Sequence, residues 1–73
     1  MTYSEYINLL NKAIKHLENY EYDKAKKAIE KADVTGYTYH YIMCAIDYID
    51  ARTAIKKINE EIKYWEEIKE NDD

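Results

Sequence analysis

Nine residues in the second half of the chain follow one alternating four–three spacing: Tyr37, Tyr41, Cys44, Tyr48, Ala51, Ile55, Ile58, Ile62 and Trp65. Only a helix brings residues at that spacing onto one stripe. No proline or glycine interrupts the chain after Gly36. The spacing therefore predicts one long helix over about 38–70, roughly 50 Å at 1.5 Å per residue. A chain of 73 residues has little else with which to cover such a stripe. An uncovered stripe points to association with another chain.

Two shorter helices precede it. Thr2 and Glu5 have capping-box spacing, which starts the first helix, about 3–19. Its apolar stripe is Tyr3, Ile7, Leu10, Ile14 and Leu17, widened by Tyr6, Ala13 and Tyr20. A turn around Tyr20–Asp23 leads to a second helix, about 22–34, whose inward positions are small: Ala25, Ala28 and Ala32, with Ile29 the one large aliphatic. Small residues let helices approach closely. Gly36 is expected to end this helix in a left-handed conformation, and Thr35 or Thr38 to cap the next.

The fold class expected is all-α: a three-helix arrangement with a long C-terminal helix, forming a single helical domain over 1–73. The first part of the third helix, Tyr41 to Ile46, is apolar all round and is expected to be wedged between the other two. From Arg52 onward only the narrow stripe stays apolar, the pattern of a helix meeting one partner helix. The lengths conflict, because the third helix exceeds the others by about 20 Å. Ile58, Ile62 and Trp65 would then overhang, forfeiting about 1.5–3 kcal/mol each. A second copy or another protein would cover them. The alternative is a four-helix bundle with a break near 50–53, although no turn residue supports one.

Composition narrows the function classes. The longest apolar run is six residues, far short of the roughly 20 that span a bilayer. Met1 to Leu10 contains Glu5 and has no basic start before an apolar stretch, so a cytoplasmic location is expected. Cys44 is the only cysteine, so no disulfide staples the chain. Nine tyrosines stand beside no phenylalanine, a usage that favours wet core edges and interfaces. Ten lysines against one arginine, with much isoleucine, asparagine and tyrosine, is the mark of AT-rich codons, as in a low-GC bacterium or its phage.

Residues Leu9 to Ala32 resemble one tetratricopeptide-type helical hairpin. The matching run is Tyr22-x-x-Ala25-x-x-x-Ile29-x-x-Ala32, preceded by Leu9 and Ala13. The resemblance covers about a third of the chain and implies a paired-helix fold and a role as a protein-binding adaptor. This chain carries one such unit, without the closing proline, and continues into a much longer helix.

Catalytic chemistry finds little purchase. His40 and Cys44 share a helix face, and only His16 or Asp47 could extend them towards a metal site, which needs three or four ligands. Cys44 lies on the main stripe, where a thiol usually fills core space. A mid-helix thiol also has no free N–H groups beside it to form an oxyanion hole. One glycine excludes a phosphate-binding glycine loop, and Ser4 is the lone serine. The expectation is a non-enzymatic protein with no catalytic residue, metal or cofactor.

Charge suggests the partner. The formal net charge is −4, and seven acids crowd Glu60–Asp73. Acid at a helix C-terminus opposes the helix dipole, so helix stability does not explain it. An acidic surface suits a basic protein partner. The leading expectation is a protein–protein interaction module, with a homodimer as the expected state. Its specific form is a small acidic inhibitor of phage or mobile-element type that occludes a partner surface. The partner-binding residues expected are Tyr48, Ile55, Ile58, Ile62 and Trp65, with Glu60, Glu61, Glu66 and Glu67. The alternative is a nucleic-acid-associated regulator using the Lys24, Lys27 and Lys31 stripe with Lys56 and Lys57. Direct nucleic-acid binding fits poorly with so acidic a chain.

Overall fold

The computed structural model describes the backbone of residues 1–72 and the side chains of residues 1–70. Four helices follow one another: α1 (Tyr3–Glu18), α2 (Tyr22–Lys31), α3 (Gly36–Tyr48) and α4 (Ala51–Asp72). The chain is all-α, as expected, and takes the four-helix form rather than the long rod. The expected third helix is two helices, separated at Ile49 and Asp50.

The break has an identifiable construction. Ile49 leaves the helical region at φ −116°, ψ −97°, while its N–H still bonds the Ala45 carbonyl at 3.1 Å. Asp50 then caps α4, its Oδ1 accepting the Thr53 N–H at 2.7 Å. The Thr53 hydroxyl first, and that backbone bond second, hold the Asp50 carboxyl below its ordinary pKa. Folding back lets α4 lie along α1 and α3. Ile58 falls to 0 % exposed and Ile62 to 6 %. Burying each is worth about 1.5–3 kcal/mol, whereas a lost helical hydrogen bond costs about 0.5–1.5 kcal/mol net. Burial outweighs continuity. At 22 residues, α4 is about 33 Å long, which matches the 37 Å long axis of the molecule. No rod overhangs.

The helices form two hairpins, α1 with α2 and α3 with α4, joined chiefly by the packing of α1 on α4. One core runs through both and includes Leu10, Leu17, Ile29, Ile42 and Ile58, all fully buried. Ala13, Ala25, Ala28 and Ala32 are buried in it as well, consistent with close approach at small residues. Trp65 and Ile55 are half-buried against its edge.

The turns depart from expectation at two points. Helix α2 ends not at Gly36 but at Asp33, which takes the left-handed conformation (φ 60°) after the Ala32 cap, its N–H bonded to Glu30 O. Gly36, also left-handed, is the first residue of α3. Aspartate tolerates this region because its short polar chain finds local partners. Tyr20 ends α1 in the same way at φ 62°, and the Glu21 N–H to His16 O and Tyr20 N–H to Leu17 O bonds complete a Schellman motif. At the other end of α1, the Thr2 hydroxyl accepts the Glu5 N–H at 3.1 Å, as its spacing predicts. Thr35 precedes α3 without a side-chain cap bond.

Candidate functional site

The break divides the four–three stripe into halves with opposite fates. On α4 it faces inward, with Ile58 and Ile62 in the core and Ala51, Ile55 and Trp65 half-buried against it. On α3 it faces outward. Tyr37 is 74 % exposed, Tyr48 85 % and the adjoining Ile49 63 %; Tyr41 and Cys44 are exposed between them. The inward face of α3 is instead Ile42 and Ala45, flanked by Tyr39, Met43 and Ile46. All-round apolarity concealed this phase, and α3 is not wedged between two helices: one side of it is open.

The open side has structure of its own. The Tyr37 and Tyr41 rings lie 6.0 Å apart. The Lys57 ammonium reaches over from α4 to 5.3 Å from the Tyr41 centroid and 5.9 Å from that of Tyr37, within cation–π range. On another edge of α3, Asp47 pairs with Lys26 of α2. That contact raises the Lys26 pKa, through the hydrogen bond first and the Asp47 charge as well, against desolvation, which lowers it.

A concave feature lies where the start of α1, the Ala32–Thr35 connection and α4 meet. Tyr3, Tyr6 and Trp65 form an aromatic wall, with Tyr3–Trp65 and Tyr6–Trp65 centroids 5.6 and 5.7 Å apart. Two carboxylates, Glu61 and Asp33, share the cavity, whose volume is about 300 Å³. Glu61 is held by two donors that converge on Oε1, Trp65 Nε1 at 2.6 Å and the Tyr6 hydroxyl at 3.3 Å. Burial, then the Glu61 charge and hydrogen bond, then the Asp33 charge push the Tyr6 hydroxyl up to about 12. Nearby, Lys69 donates to the Ser4 hydroxyl at 2.7 Å, tying the end of α4 to the start of α1.

The residues expected to bind a partner are therefore dispersed. Tyr48 is exposed on α3, Ile58 and Ile62 are internal, and Ile55 and Trp65 are half-buried. Glu60, Glu66 and Glu67 are exposed on α4, whereas Glu61 sits partly buried beneath the aromatic wall. Asp73, the last of the acidic run, lies outside the described residues. Lys24, Lys27 and Lys31 are exposed and border a shallow groove between α1 and α2 with Lys12 and His16. Lys24 is engaged there by Glu21, whose carboxyl is held low by His16 first and Lys24 second. Lys57 is drawn to the α3 tyrosines instead.

Among the described residues, no group of three or more histidine, cysteine, aspartate or glutamate side chains is arranged to hold a metal ion. None of the described helices is long and apolar enough to cross a membrane. Sequence reasoning missed the aromatic wall because it joins Tyr3 and Tyr6 to Trp65, at the far end of the chain. The one local signal was Glu61 four residues before Trp65, a spacing that lets a carboxylate meet an indole N–H on one helix face. No known protein family, curated protein or solved structure matches the chain.

Proposed function

We propose that this protein is a non-enzymatic interaction module that binds a protein partner through the outer face of α3. The observation that carries this reading is the joint exposure of Tyr37, Tyr41, Tyr48 and Ile49 on a chain whose core is complete without them. Aromatic side chains dominate binding hot spots because they bury much area with little loss of rotamer entropy. The occupant proposed is a second copy of the chain, in an isologous dimer, since tyrosine rings pair readily with one another.

Cys44 is a built-in reporter at the centre of this face. The test follows its alkylation rate as protein concentration rises, beside the sedimentation mass. The expected result is a dimer in which alkylation slows with concentration. Tyr48→Lys restores the fast rate and yields a monomer with unchanged helix content. A monomer at high concentration with a constant alkylation rate would overturn the homodimer.

Exposed Glu60, Glu66 and Glu67 support a narrower form of the reading, in which the module blocks a basic protein surface in the manner of a phage-type inhibitor. A second reading, nucleic-acid association, draws on Lys12 joining Lys24, Lys27 and Lys31 around one groove. Steeply salt-dependent retention of plain DNA or RNA on a filter would favour it over protein binding.

A further inference from the structure

The aromatic cavity at the other end of the bundle has a chemistry that the α3 face lacks. Its wall is lined by the rings of Tyr3, Tyr6 and Trp65, whose π-faces carry partial negative charge. Two carboxylates add formal negative charge, and no lysine, arginine or histidine side chain lies among the described residues that line it. The Trp65 indole N–H and the Tyr6 hydroxyl both donate to Glu61 Oε1 and hold the carboxylate at the wall. At about 300 Å³ the cavity sits at the low end of small-molecule pockets. Burial is the first cause that disfavours a tyrosinate at Tyr6 and the Glu61 and Asp33 charges come after it; those two charges attract a cation to the same place.

The kind of cation follows from the lining. A metal ion demands three or more strong donors, and the cavity offers two carboxylates beside the weakly ligating hydroxyls of Thr2 and Thr35, with no group of three histidine, cysteine, aspartate or glutamate side chains among the described residues. A weakly hydrated organic ammonium instead gains from the ring faces and from the carboxylates without needing full coordination. We propose that this cavity binds an N-methylated or quaternary ammonium group, with Trp65, Tyr3 and Tyr6 contacting its methyl groups and Glu61 and Asp33 balancing its charge.

Trp65 is the only tryptophan in the chain, and its fluorescence reports occupancy directly. The titrant is tetramethylammonium chloride at constant ionic strength, against sodium chloride and against 3,3-dimethylbutanol, a neutral molecule of related shape. Because Met1 also lines the cavity, the titration is repeated with an acetylated N-terminus, which removes any competing α-ammonium. Saturable change is expected with the ammonium and none with the alcohol.

Asp33→Asn keeps a residue that accepts the left-handed backbone and should weaken binding about threefold, in the range of an exposed charge pair. Glu61→Gln retains an acceptor oxygen for Trp65 and Tyr6 and should weaken it about tenfold, since this carboxylate is less solvated. Helix content and Tm check that both variants fold. A trimethyllysine peptide that binds more tightly than tetramethylammonium assigns the cation to a partner's side chain; equal affinity assigns it to a free amine. Both uphold an ammonium site. Absence of saturation, an equal response to the alcohol, or no effect of either variant overturns it. Tyr48→Lys leaves this titration unchanged, because no residue of the α3 face lines the cavity, so this test and that of dimerisation fail separately.

Discussion

Replacing Ile58 with alanine tests the return of α4 onto the bundle more directly than any other single change. Ile58 is fully buried, beside Ala54 and Ile62 on the same helix. Truncating such a side chain to alanine removes its transfer free energy and leaves a cavity, about 2–5 kcal/mol together. A domain of this size has a total stability of about 4–11 kcal/mol. A central loss of about 3 kcal/mol therefore removes a large share of it and lowers Tm by about 12–24 °C. Ile49→Ala is the matched control, because Ile49 is 63 % exposed at the break and a surface change of this kind shifts stability by about 0.5 kcal/mol or less. Thermal denaturation followed by circular dichroism, at low concentration to exclude assembly effects, compares the two. In a continuous rod Ile58 would overhang and its loss would be mild. A Tm drop below about 4 °C for Ile58→Ala, or one no larger than that of Ile49→Ala, would refute the fold-back.

Two further outcomes probe the break and the cavity. Asp50→Ala should lower Tm by roughly 4–8 °C, whereas Asp50→Asn, which also caps well, should stay close to the parent. The Asp50 carboxyl is held low in the folded chain, so its contribution is present above the ordinary aspartate range and is lost as pH falls through the depressed value; a Tm profile in acid that is flatter for Asp50→Asn than for the parent would show this. At the alkaline end, Tyr6 is raised to about 12 from 10.0. Its neutral form is favoured by folding, so its contribution is intact below pH 10 and is lost between about 10 and 12. Ultraviolet titration should show one late tyrosinate that Tyr6→Phe removes, and a parent curve without a late step would contradict the burial of Tyr6 beside Glu61.

Much of the local structure was legible in the residues themselves. The stripe Tyr3, Ile7, Leu10, Ile14 and Leu17, widened by Tyr6, Ala13 and Tyr20, marked the inward face of α1 in part: Ile7, Leu10, Ala13 and Leu17 are buried, Tyr6 and Ile14 half-buried, and Tyr3 and Tyr20 exposed. The alanines of α2 announced a close contact, and Thr2 announced a cap. Asp50 carried a readable sign of the break, since aspartate is a preferred cap three residues before the N–H it accepts. Without glycine or proline beside it, that sign is easily taken for a solvent-facing helical residue. The aromatic cavity was not legible, because no local rule relates Tyr3 or Asp33 to Trp65.

Helical spacing depends on neighbours within one or two turns, and so this sequence by itself determined which segments coil and which residues share a face. Whether the stripe from Tyr37 to Trp65 stays in one piece depends on a different comparison. It sets the burial of Ile58 and Ile62 against α1 and α3 against a few backbone hydrogen bonds at Ile49 and Asp50. That balance involves helices distant in sequence, and only tertiary packing decides it. The same packing turned the tyrosines of α3 outward and brought Tyr3, Tyr6, Asp33, Glu61 and Trp65 around one cavity.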